Sequence, residues 1–189
     1  MGSRTIADPE LTAEARRALL QLARRALEAG VRGEPTPAVP ALPPLAARRG
    51  AFVTLLAGGR LRGCIGHIHG DRPVGHVVAR VATAVATEDP RFSPVETDEL
   101  AGVRIEISVL DDPAPLTPPD PGGVVVGRHG LMVRSGAAVG VLLPQVAVEH
   151  GWTAETFLNA ACRKAGLAVD AWRHAGVDVL TFQADVFGE

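Results

Sequence analysis

Residues 51–68 read Ala51-Phe52-Val53-Thr54-Leu55-Leu56-Ala57-Gly58-Gly59-Arg60-Leu61-Arg62-Gly63-Cys64-Ile65-Gly66-His67-Ile68. Ala51 to Ala57 has the apolar, β-branched character of a strand, and Gly58-Gly59 is a two-residue hairpin signal. Arg60 to Ile68 returns as the partner strand. A tight hairpin joins antiparallel neighbours, so this stretch argues for an antiparallel sheet. Gly63 and Gly66 interrupt the returning strand. Glycine inside a strand marks a bulge or a place where something approaches the backbone closely.

Upstream, Asp8-Pro9-Glu10 is a helix-start signal, and Leu11, Ala15, Leu19, Leu22 and Ala26 follow at helical spacing until Gly30. The opposite face carries Arg16, Arg17, Arg24 and Arg25, a solvated face or a phosphate-binding stripe. Residues 31–50 hold five prolines and read as a loop. Residues 1–7 read as a flexible N-terminus. Downstream, Asp71 and Pro73 open a helix running to about Glu88, and Val103 to Leu110 alternates as a strand. Short strands are expected at Val124–Val126, Leu131–Arg134 and Ala138–Leu143, then a short helix over Gln145–His150. Thr153 caps a helix from Ala154 to Ala165, and Val177 to Phe187 closes the chain with inward alternation of Leu180, Phe182, Ala184 and Val186. Strands and helices mix without a βαβ rhythm. The fold class is therefore α+β, a mostly antiparallel sheet flanked by helices.

A chain of 189 residues buries roughly 70 % of its unfolded surface, so it needs neither disulfide nor metal to hold a core. No apolar run reaches membrane-span length, and Met1-Gly2-Ser3-Arg4 lacks the apolar stretch of a secretory signal. A cytoplasmic location is expected. The formal charge of -2 argues against a protein that binds nucleic acid through a global basic surplus. Eighteen of the 19 basic residues are Arg, a skew that reads as genome composition. Tyr is absent, which removes it as acid, nucleophile or stacking platform. Phosphate-loop, dinucleotide, zinc-protease and serine-hydrolase motifs are absent too, and no cofactor is assigned.

The chemistry gathers in Leu61-Arg62-Gly63-Cys64-Ile65-Gly66. Strand alternation puts Arg62 and Cys64 on one face, and a guanidinium beside a thiol favours the thiolate. Gly63 and Gly66 leave N–H groups uncovered for an oxyanion or a phosphate. The competing reading is a Cys packed between turn glycines. Cys64, His67, His69 and His76 lie close in sequence, but alternation separates Cys64 from His67 and His69 unless a bulge intervenes, and no metal site is assigned. His129, in a Gly-flanked turn, is a candidate base or an ordinary turn residue. Glu149 and His150 could orient a nucleophile or cap a helix end. Asp89 and Arg91 flank Pro90, with a loop-shaping salt bridge as their default. Cys162 belongs on an apolar helix face.

The motif resembles the hallmark of the AMMECR-one domain family, whose prokaryotic branch is AmmeMemoRadiSam system protein A. The resemblance extends to Phe52-Val53-Thr54-Leu55, Asp89-Pro90-Arg91-Phe92, Glu106-Ile107-Ser108-Val109-Leu110, His129-Gly130-Leu131, residues 142–152 and residues 162–167. It implies one domain over residues 8–187 with two lobes, a larger antiparallel sheet with helices and a smaller β-rich part. It also implies partnership with a Memo-like protein and a radical S-adenosylmethionine protein. His69-Gly70 departs from the family, where many relatives have Glu-Pro, while Arg128 keeps the charge of a frequent Lys.

On this basis the chain is expected to be an enzyme or enzyme component. Cys64 would be nucleophile or covalent anchor, with His129, Glu149 or His150 supplying a base. Arg62, Gly63, Gly66, Arg91 and Gln145 would bind a small anionic substrate. The competitors are a non-catalytic binding module and, less favoured, a nucleic-acid binder acting through Arg16, Arg17, Arg24 and Arg25.

Overall fold

The computed structural model describes residues 11–189. In chain order the elements are α1 (Ala13–Arg32), β1 (Ala51–Ala57), β2 (Arg60–His67), α2 (Val74–Ala84), β3 (Val103–Leu110), β4 (Ala114–Pro115), β5 (Gly130–Ser135), β6 (Ala138–Leu142), α3 (Pro144–Glu149), α4 (Ala154–Lys164), β7 (Asp178–Phe182) and β8 (Ala184–Gly188). They form an α+β fold with two four-stranded sheets. The chain divides into two units, one reaching Val109 and including Asp185–Glu189, the other spanning Leu110–Ala184. Among the described residues no helix is long and apolar enough to cross a membrane.

In the first unit the sheet order is β2-β1-β3-β8. β1 pairs antiparallel with both β2 and β3, in rows such as Gly63–Leu55–Ile105 and Ile65–Val53–Ile107. Val53, Leu55, Ile105 and Ile107 are fully buried on one face, each contributing roughly 1.5–3 kcal/mol of apolar burial. The valines of α2 pack on this face, and α1 packs on α2. The expected helix start at Asp8-Pro9-Glu10 lies outside the described residues; α1 takes Thr12 as its cap, whose hydroxyl accepts the Ala15 N–H at 3.2 Å. Gly30 does not end the helix. It lets α2 approach: a Cβ there would sit 2.5 Å from the Thr83 carbonyl oxygen. The stop falls at Gly33, in the left-handed region with φ 67°.

The second unit carries the sheet β4-β7-β5-β6. Leu131, Val133 and Val179 meet Phe157, Leu158, Ala161 and Cys162 of α4 in its core. Thr153 caps α4 as its position in the sequence predicts. The expected strand at Val124–Val126 does not form. Pro121–Gly123 makes a short 3-10 helix, and the chain then turns through Val125 to His129. The closing segment is two strands instead of one: β7 joins the second sheet and β8 the first, with the change at Gln183.

Candidate functional site

β2 is an edge strand of the first sheet, and its exposed flank would normally present unpaired backbone groups. At Cys64 that flank is capped by side chains. The Cys64 N–H donates to Asp89 Oδ2 at 2.8 Å, and Arg91 Nη2 donates to the Cys64 carbonyl at 3.3 Å. Asp89 and Arg91 are locked together by a bidentate pair, Nε–Oδ1 2.9 Å and Nη2–Oδ2 2.7 Å, and the Arg91 N–H also reaches Oδ1 at 3.1 Å. An acid–base pair from the 89–91 loop thus takes the place of a neighbouring strand at one residue. The default salt bridge between these two residues is present and holds the motif.

Asp89 is 5 % exposed. The Arg91 guanidinium, overcoming the cost of burial, holds its carboxyl well below the usual carboxylate range, with the Cys64 and Arg91 N–H groups adding to the effect. Because the Cys64 backbone faces outward, its pairing with Thr54 is a non-hydrogen-bonded one, in which side chains come closest. The Thr54 hydroxyl donates to Cys64 Sγ at 3.3 Å. Cys64, Thr54 and Glu106 form one cross-strand row on the face opposite the apolar core.

Cys64 is half-buried, and burial pushes its thiol above the ordinary value. The Thr54 hydrogen bond and the Arg91 charge act in the other direction and are outweighed. The expected acidification by Arg62 is corrected. The register slips between Leu55 and Leu56, so Arg62 is the extra residue of a bulge. Its guanidinium turns to Glu99, with Nε–Oε1 2.7 Å and Nη2–Oε2 2.9 Å, and to the carbonyls of Ser93 at 3.0 Å and Pro94 at 3.2 Å. Glu99 is aimed by the Glu96 N–H at 2.8 Å and held below its usual range, first by Arg62. Arg62 therefore ties the hairpin to the 93–99 segment.

The two motif glycines answer to packing. A Cβ on Gly63 would meet Val85 Cγ2 at 3.1 Å, and one on Gly66 would overlap the Phe52 ring. Both the bulge and the close approach that glycine signals in a strand are present.

The remaining candidates lie in the second unit. His129 Nδ1 accepts the Val125 N–H at 3.2 Å and the His129 backbone N–H donates to the Val125 carbonyl at 2.9 Å, so the residue closes the turn that replaces the expected strand. Glu149 and His150 are exposed at the end of α3, and the His150 ring stacks on Trp152 at 4.6 Å. Gln145, in the first turn of α3, has a buried Oε1 with no hydrogen-bond partner among the described residues. Cys162 is fully buried in the core of this unit. Nearer the motif, His67 Nε2 lies 2.6 Å from Asp71, and the His69 ring meets His67 edge-on at 6.0 Å. Sequence reasoning missed Thr54 and Glu99. The hairpin register points to the first; no local signal points to the second.

The AMMECR1 family model matches residues 20–187. The chain belongs to the AMMECR1 family. AMMECR1-family relatives include a protein of Thermofilum pendens, 45 % identical over 95 % of this chain and 92 % of its own length. A protein of Methanothermobacter thermautotrophicus is also 45 % identical, over 92 % and 93 % of the two chains. The crystal structure of the uncharacterised protein PH0010 from Pyrococcus horikoshii superposes with TM-score 0.85 at 40 % identity, covering 90 % of this chain and 89 % of the other. The AMMECR1 fold is thus shared across substantial sequence divergence.

Proposed function

We propose that this AMMECR1-family chain is an enzyme, or a component of one, whose working atom is the Cys64 sulfur. We further propose that it acts with a Memo-like protein and a radical S-adenosylmethionine protein on a small anionic substrate. One observation supports the reading above others: a buried, ionised Asp89 and its Arg91 partner fix both backbone groups of Cys64, and among the described residues the sulfur accepts one hydrogen bond, from the Thr54 hydroxyl. Arg62, Gly63 and Gly66 are all engaged in structure, so Cys64 is the motif residue whose reactive atom is left to a ligand.

The resting thiol is neutral, since burial raises it above an ordinary value already well above pH 7. It becomes a nucleophile when the bound anionic ligand presents a basic oxygen that accepts the thiol proton. The Thr54 hydroxyl then stabilises the negative charge that forms on sulfur.

The raised thiol equally favours a second reading, a non-catalytic binding module in which the motif face recognises a ligand or partner. Capture of the native chain from its own cells, with intact-mass analysis, separates the two. The enzyme reading expects a covalent adduct on Cys64 and loss of cellular function in Cys64→Ser. Full function of Cys64→Ser with unchanged partner capture leaves the binding module. Absence of both named proteins from the captured complex removes the proposed partnership.

A further inference from the structure

The basic face of α1 is divided by its contacts. Arg16 Nε donates to Asp185 at 3.0 Å, and its guanidinium lies 5.8 Å from the Phe187 ring centroid. Arg24 donates through Nε to Glu189 at 3.1 Å and through Nη1 and Nη2 to the carbonyls of Leu100 at 3.2 Å and Val103 at 2.7 Å. Arg17 and Arg25 are exposed and make no ion pair among the described residues.

Between them lies a cavity of about 510 Å³ lined by Arg17, Leu20, Gln21, Arg24, Arg25 and Glu189. Its three guanidiniums and one carboxylate give it a formal charge of +2, opposite in sign to the chain as a whole. Arg17 and Arg25 stand eight residues apart, about 12 Å along the helix axis, and both side chains can bend over Gln21 towards one ligand. Arg24 lines the groove with its charge balanced by Glu189 and its donors turned to Glu189 and two carbonyls, so Arg17 and Arg25 carry the excess positive charge.

We propose that this groove binds a compact polyanion of the diphosphate type. The helix itself sets the length of the ligand. Glu14 precedes Arg17 by three residues and Glu28 follows Arg25 by three, and both fall on the Gln21 side of the helix. A long polyanion laid along α1 would meet the Glu14 carboxylate at one end and the Glu28–Arg32 ion pair, 3.7 Å, at the other; a compact one does not. The same placement weighs against a nucleic-acid strand on this face.

The test is calorimetric titration of the full chain with inorganic pyrophosphate, orthophosphate and a single-stranded oligonucleotide, at low and high salt. Pyrophosphate is expected to bind at least about 10-fold more tightly than orthophosphate, and more weakly as salt rises. Arg17→Gln with Arg25→Gln, both at exposed helix positions, should weaken it by about 10-fold or more, while Arg16→Gln leaves it unchanged. Far-ultraviolet dichroism establishes that α1 persists in the variants. The proposal is overturned if pyrophosphate does not bind by about 10 mM, if the double variant binds equally, or if the oligonucleotide binds more tightly than pyrophosphate.

Discussion

Replacing Asp89 by Asn keeps the shape of the side chain and removes its charge. The carboxylate is 3 % exposed and accepts four hydrogen bonds, two on each oxygen. Either orientation of an amide turns its NH₂ against two donors: Cys64 N–H with Arg91 Nη2, or Arg91 N–H with Arg91 Nε. Two charge-assisted bonds are lost, at about 1.5–3 kcal/mol each. The Arg91 side chain is 49 % exposed and rehydrates, which places the total near the lower end, about 3 kcal/mol. Urea unfolding at pH 7 measures it. The pH dependence follows from the depressed folded pKa of Asp89. Its stabilisation is complete above the unfolded value of about 3.9 and is lost as pH falls towards the folded value. At pH 3 the unfolded carboxyl is mostly protonated while the folded one stays ionised, so the gap between native and variant narrows by about 1 kcal/mol. A cost below about 0.5 kcal/mol at pH 7, or a gap that does not change with pH, refutes the clamp as the device that holds Cys64.

Arg62→Ala, which removes a guanidinium 15 % exposed, should cost about 2 kcal/mol in chemical denaturation yet leave the pH profile of Cys64 alkylation unmoved. Gly66→Ala should destabilise by about 1–3 kcal/mol, and pairing it with Phe52→Ala should cost less than the sum of the two, read by thermal unfolding. Thr54→Val removes the hydroxyl that favours the thiolate, so the apparent pKa of Cys64 should rise further in an alkylation-rate series.

What was legible in the sequence was local. Residues 51–68 declare their hairpin because alternation and Gly58-Gly59 agree, and the 153–165 helix declares its cap. Gly30 misleads because its small size serves α2, not a helix stop. Val124–Val126 has strand composition, but Asp120 and Pro121 start a 3-10 helix and the His129 ring closes the turn that follows. β7 and β8 look continuous because the apolar alternation of Leu180, Phe182, Ala184 and Val186 runs through Gln183, but that face is not the one the cores use: Val179 joins the second core, Phe187 packs on the first, and Val186 is exposed. At the site, the Asp89–Arg91 pair is readable because its members are two residues apart. Arg62 and Glu99 are 37 residues apart, and no pattern in the chain joins them. The bulge that sends Arg62 out of the Cys64 row is equally invisible without the register. The thiol follows suit: a nearby cation in sequence suggested acidity, whereas burial decides.

The most direct measurement is alkylation of the two cysteines in the native protein as a function of pH, resolved by mass spectrometry. Cys64, half-buried on the outer sheet face, should label with a midpoint above the roughly 8.5 of a free thiol, while Cys162 stays protected until the chain unfolds. Equal protection of both sulfurs in the folded chain would contradict Cys64 as the atom a ligand meets.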